Sequence, residues 1–97
     1  MEITKQTDDT NCTLTLKGEM SIYTAMENKV DFEPHFGIEQ NISLDMAAVN
    51  EFDSSGFQML LLLERQAIKN SKTFSVTQSS PAVQEVLSLY SKNDWLG

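Results

Sequence analysis

The segment Asp53-Ser54-Ser55-Gly56 holds the side chains best placed for chemistry, two hydroxyls between a carboxylate and a glycine. It follows a β-rich run and opens the longest helix-periodic stretch, so the hydroxyls fall near a helix N-terminus. Unpaired backbone donors and the positive end of the dipole favour anions there, and a phosphate on either serine would be accommodated. The plain alternative is an ordinary cap, with Asp53 or Ser54 accepting from first-turn amides. Hydrolysis fits poorly. A nucleophilic serine needs a base within hydrogen-bond reach and a third group to orient that base, yet the chain has one histidine, His35, beside Pro34 on an expected loop. There is no G-x-S-x-G elbow. None of the scattered glycines is followed by the Lys-Ser/Thr of a Walker loop. One Cys and one His cannot close a zinc site. No catalytic residue, metal site or cofactor is expected, and the chain reads as a non-enzyme.

The elements that must position this segment follow from local pattern. Ile3–Thr7 and Thr13–Lys17 are short β-rich runs joined by the turn-forming Asp8-Asp9-Thr10-Asn11, which predicts a hairpin whose second strand ends at Gly18. Thr24-Ala25-Met26-Glu27 has the spacing of a capping box, and Pro34 ends or kinks the helix it opens. Ile42–Met46 alternates and continues apolar through Val49, as a central strand would. Phe57, Leu60, Leu61 and Ile68 share one helical stripe over residues 57–70. That phase turns Met59 and Leu62 outward, beside the serine pair, where an adaptable Met and a Leu suit a partner surface. Thr73–Thr77 is a fourth strand. Ser80-Pro81 opens a third helix as N-cap and first helical residue, with Val83, Val86, Leu87 and Tyr90 on one face. Trp95-Leu96 should tuck against the sheet edge. The order is β-β-α-β-α-β-α, and the helix-length crossovers favour parallel pairing after the hairpin.

Composition narrows the function. The 97 residues suit one domain, 1–97, and 40% hydrophobic with 22% charged residues matches a globular protein. With 14 Asp+Glu against 7 Lys+Arg, the formal −7 repels nucleic-acid phosphates and anionic headgroups alike. Between Lys29 and Arg65 there is no Lys or Arg, while Asp31, Glu33, Glu39, Asp45, Glu51, Asp53 and Glu64 fall in that window. The single Cys12 needs no oxidising compartment. The N-terminus lacks an apolar leader, and the longest apolar run, Met59 to Leu63, is far short of the ~20 residues that span a bilayer. A cytoplasmic location is expected, without nucleic-acid binding or membrane insertion.

Four segments resemble, in order, those of the STAS family, named for sulfate transporters and anti-sigma factor antagonists, and in particular its small stand-alone bacterial antagonists. They are Gly18-Glu19-Met20-Ser21 with Thr24-Ala25, Ile42-Ser43-Leu44-Asp45-Met46, Phe52-Asp53-Ser54-Ser55-Gly56-Phe57, and Ser80-Pro81-Ala82-Val83 with Val86-Leu87. The third carries the family signature D-S-[ST]-G. The resemblance implies an α/β STAS fold: a mixed four-stranded β-sheet, with an N-terminal hairpin and then a βαβα pattern, and helices packed on it. It implies a switch in which the unmodified antagonist binds an anti-sigma factor that is also a serine kinase and brings the ATP. Phosphorylation breaks that complex and a metal-dependent serine phosphatase restores it. By position the acceptor is Ser54, with Ser55 the second choice, and Asp53, Ser54, Ser55, Gly56, Phe57, Met59 and Leu62 are the expected partner contacts. Gly56 would permit a tight turn, and Asp45 with Asp53 would frame the loop. Phe57-Gln58 departs from the common Leu-Gly and bears on partner choice. The resemblance also implies a monomer or weak dimer. It leaves two other roles open, a subunit of a membrane lipid or ABC transport complex and a signalling module with a non-sigma output.

Overall fold

Asp8 closes the first turn by accepting the amides of Thr10 at 2.8 Å and Asn11 at 2.7 Å, an Asx turn of the kind its neighbours predict. The computed structural model describes residues 1–96. From that turn β1 (Glu2–Thr7) and β2 (Asn11–Met20) pair antiparallel. There follow α1 (Ala25–Phe32), a 3-10 turn (Glu33–His35), β3 (Asn41–Phe52), α2 (Ser54–Lys69), β4 (Phe74–Ser79), α3 (Pro81–Leu89) and a second 3-10 turn (Asn93–Leu96). The four-stranded sheet runs β1-β2-β3-β4, with β3 parallel to both neighbours. This is the mixed α/β sheet expected from the sequence.

Two successive crossovers step the same way across the sheet, so right-handed connections put α1 and α2 on one face, where they touch. Strand alternation agrees. Cys12, Leu14 and Leu16 of β2 and Ile42, Leu44 and Met46 of β3 point into the core, while Thr15 and Lys17 are exposed. One face is therefore covered by helices and the other is polar.

Several local expectations change once the chain is packed. β2 does not stop at Gly18: it continues to Met20, and Gly18 absorbs a register shift with φ +123°, a conformation other residues rarely adopt. β3 runs on through the polar residues to Phe52, because β2 stays paired with it as far as Met20. α1 begins after Thr24 as expected, but no capping box forms. The Thr24 hydroxyl instead donates to Glu19 O at 3.1 Å and accepts from Ser21 N at 3.1 Å, tying the helix start to the strand before it. In α2 the buried stripe is Phe57, Leu60, Leu63 and Ala67, whereas Ile68 is exposed and Leu61 half-buried. A run of five apolar residues, 59–63, carries no phase of its own, and the small Ala67 is what packs at the far end.

The last helix matches its local signal. Ser80 caps it through Val83 N at 3.3 Å with Pro81 next, and Ser80 Oγ also donates to Val49 O of β3 at 2.6 Å. Trp95 is buried, its ring centroid 5.0 Å from that of Phe74 with the planes 71° apart and its Nε1 donating to Glu64 at 2.6 Å. Lys92 completes the corner, 3.6 Å from Glu64 and 5.3 Å above the indole.

His35 ends the 3-10 turn that follows α1. Burial, and to a smaller extent the charge of Lys5, holds its imidazole below the usual histidine range, and its Nδ1 is buried without a partner. A depressed folded value means the unfolded chain binds the extra proton first, so stability falls as pH drops below about 6.5 toward the lower folded value. His35→Gln should flatten the dependence of Tm on pH across that window, as read by thermal scans from pH 7.5 to 5.5.

Candidate functional site

Phe52 ends β3 and Asp53 breaks to extended geometry, φ −137° and ψ −165°, before α2 begins at Ser54. Asp53 Oδ1 accepts from Ser55 N at 2.9 Å, a side-chain N-cap. Its second oxygen, Oδ2, accepts from Ile22 N at 2.9 Å, in the loop between β2 and α1. The backbone adds a third tie, Asp53 N donating to Met20 O at 3.2 Å. One carboxylate thus joins two segments far apart in sequence and fixes the start of α2 against the end of β2.

The loop it holds is itself braced. Ser21 is buried, donates through Oγ to Glu19 and accepts from Tyr23 N at 3.2 Å. Asn28, also buried, donates to Glu19 O at 3.1 Å and to Thr24 Oγ1 at 3.0 Å. Four polar side chains, Glu19, Ser21, Thr24 and Asn28, therefore tie the turn that Asp53 holds, while Asn28 Oδ1 is buried without a partner.

Gly56 is required here for space rather than for a turn. It is helical, and a Cβ on it would meet Met20 O at 2.7 Å and the Phe52 ring at 2.7 Å. The sequence-based reading of Gly56 as a tight-turn residue is corrected accordingly. Asp45 is likewise not part of this loop: it pairs within the sheet and its Oδ1 accepts from Ala47 N at 3.1 Å. It lies mid-strand, and the pleat carries β3 well beyond it before the loop begins.

The expected site residues divide by exposure. Ser54 is exposed at the first helical position, Ser55 and Asp53 are half-buried, and Gly56 and Phe57 are buried. Phe57 stacks on Tyr90, with centroids 4.3 Å apart and planes 9° from parallel, and lies 5.6 Å from Trp95. Its ring faces the core, so the departure from the common Leu changes packing under α2 rather than the outer surface. Leu62 is exposed, whereas Met59 is half-buried and packs on the core. The residues missed by sequence reasoning are Ile22, Tyr23, Met26 and Val30, all exposed, with Ile22 bonded to Asp53 and Tyr23 lining the same cleft as Asp53. The four-residue spacing of Met26 and Val30 is the signal in the sequence that could have found them, although such spacing gives a shared helix side and not whether that side faces solvent.

Among the described residues no group of carboxylates, His and Cys is arranged to hold a metal, and no helix is long and apolar enough to cross a membrane. The geometry offers instead an exposed hydroxyl on a helix start held by Asp53, next to a cleft that Asp53 and Glu51 line.

Two substitutions test this reading. Gly56→Ala forces the start of α2 off β2 and should cost about 1–3 kcal/mol in denaturant unfolding. Asp53→Ala should cost about 0.5–2 kcal/mol as a lost cap, and the amides of Ile22 and Ser55 should both exchange faster with solvent. Faster exchange at Ser55 alone would mean that the carboxylate does not hold the β2–α1 loop.

Comparison with known proteins agrees with this architecture. The solved structure of the anti-sigma factor antagonist SpoIIAA in its unphosphorylated form superposes with a TM-score of 0.76, covering 97% of this chain and 84% of that one at 15% identity. At that identity the likeness speaks for the fold. No curated protein matches the chain. The family model described as "Mlab, STAS domain" matches residues 3–96. An α-covered mixed sheet with an Asp-Ser-Ser-Gly helix start, matched almost end to end by that model, places this chain in the STAS domain family.

Proposed function

We propose that this chain is a phosphorylation-controlled partner-switching regulator of the cytoplasm. Unphosphorylated, it binds an anti-sigma factor that is also a serine kinase and thereby frees the sigma factor. Phosphorylated on Ser54, it lets that partner go, and a metal-dependent serine phosphatase resets it. The observation that carries the reading is Ser54 itself, exposed at the first position of α2 on a start held rigid by Asp53.

In the modification step the Ser54 hydroxyl oxygen attacks the γ-phosphorus of ATP held by the kinase. The new O–P bond replaces the bond to ADP, and the hydroxyl proton passes to the kinase. The product adds ≈ −1.5 to −2 charge to a window that already lacks Lys and Arg. Two effects then compete. The helix N-terminus favours the phosphate by typically 0.3–1 kcal/mol at an exposed site, so the fold survives. Desolvating a dianion beside Asp53 against a partner costs several kcal/mol, and the phosphate competes with Asp53 and Glu51 for any basic side chain the partner brings, so the complex does not. The phosphate also repels the Asp53 carboxylate, which loosens its hold on Ile22 and the loop that carries it.

Purified protein with its kinase partner tests the switch. Ser54→Ala should bind like wild type and take up no phosphate, whereas Ser54→Asp should lose about 100-fold in affinity, equivalent to ~2.8 kcal/mol. The Tm of phosphorylated protein should differ from wild type by no more than a few degrees. Undiminished binding by Ser54→Asp would overturn the switch, and continued phosphorylation of Ser54→Ala would move the acceptor to Ser55. Co-purification with a transporter ATPase, indifferent to both variants, would favour the transport role instead.

A further inference from the structure

Helix α1 turns its more apolar side outward. Its buried residues are Asn28 and Phe32, while Ile22 is 68%, Tyr23 90%, Met26 86% and Val30 65% exposed. Met26 and Val30 stand four apart on one side of α1, and Ile22 and Tyr23 are exposed in the turn that leads into it. Single exposed apolar side chains are ordinary, but four large ones within nine residues mark an interaction surface. Elsewhere the exposed large apolar residues are Leu62 and Ile68, six apart on α2, Leu89 with Tyr90 at the end of α3, and Leu96.

The row meets a cleft at Tyr23. This cleft, of about 330 Å³, is lined by Ser21, Tyr23, Glu51 and Asp53 among others, and Asp53 is also the group that holds Ile22 in place at 2.9 Å. Along α1 and the 3-10 turn after it the charges are Glu27, Asp31 and Glu33 against Lys29. Asp31 is met by the amino terminus at 3.3 Å, while Glu27 and Glu33 are exposed. The surface is apolar along its centre, carries exposed Glu27 and Glu33 with Lys29 at its borders, and is acidic in its cleft.

We infer that the row Ile22–Tyr23–Met26–Val30 and the adjoining cleft form one docking surface for a protein whose contact face is apolar and edged by lysine or arginine. The inference rests on the reading of this chain as a partner-binding regulator, and it moves the contact from the α2 residues Met59 and Leu62 to α1. Charge selects the occupant. A second copy carries the same acidic border and the same −7, and anionic lipid headgroups are repelled likewise. A basic side chain of the partner fits the cleft between Glu51 and Asp53. A phosphate on nearby Ser54 competes for that cation and draws the contact out of register.

The test uses the full chain in its own cells, with the photo-crosslinking residue benzoylphenylalanine in place of Tyr23, of Met26, or, as a control, of Leu89. Tyr23 and Met26 should cross-link to one and the same protein, at a peptide that mass spectrometry places in an apolar segment flanked by Lys or Arg, and Leu89 should not. With that protein purified, the double variant Tyr23→Ser/Met26→Ser should bind about tenfold or more weakly while its Tm stays within about 2 °C of wild type, since neither side chain is in the core. Raising salt should weaken wild-type binding more than that of Glu51→Gln. Cross-links to a second copy, to lipid or to an acidic segment, the absence of any cross-link, or wild-type affinity in the double variant would each overturn the inference. Loss of binding in the double variant with Ser54→Asp binding normally would uphold the docking surface and sink the switch. The reverse pattern would do the opposite.

Discussion

The Asp53 carboxylate is the joint on which the rest of the site depends. Its two oxygens take the amides of Ser55 and Ile22, both at 2.9 Å, so the start of α2 and the loop before α1 cannot move independently. An ionised acceptor makes such bonds stronger than a neutral one would, and each satisfies a donor that the end of an element leaves over. Gly56 makes the arrangement sterically possible. Only a residue without a Cβ lets α2 approach Met20 O and the Phe52 ring as closely as it does.

Beneath this joint the chain builds an aromatic floor. Phe57 stacks on Tyr90 and leans on Trp95, which in turn meets Phe74 and is fixed through Nε1 by Glu64. That cluster draws on α2, β4 and the last turns of the chain, so the far end of the sequence supports the helix that displays Ser54. A rigid base matters for a switch driven by charge. If α2 could yield, added negative charge on Ser54 would be relaxed locally instead of reaching Asp53 and the loop beyond it.

The exposed apolar residues 22–30 directly precede the acidic window that begins after Lys29. In isolation each feature has an ordinary explanation, a solvated face or a few surface hydrophobes. Their adjacency, with Tyr23 lining the cleft that Glu51 and Asp53 also line, gives the surface both an adhesive centre and a charge preference. Affinity then resides mainly in burial of the apolar row, while the borders select against acidic partners.

Much of this protein is written locally. The alternation of Ile42 to Met46, the Asx turn at Asp8, the Ser80-Pro81 helix start and the placement of Asp53-Ser54-Ser55-Gly56 between strand and helix all rest on neighbours within a few residues. Such signals survive in the folded chain. What sequence alone could not settle depends on contacts between distant residues. The Thr24 hydroxyl chose Glu19 O over its own helix because β2 ends beside it. Gly56 proved a matter of space because Met20 O lies against it, and the phase of α2 was set by Leu63 and Ala67 meeting the sheet. Most consequential, the sequence alone assigned no face to α1: only tertiary packing, by seating Asn28 and Phe32 inward, decided that Met26 and Val30 would face water.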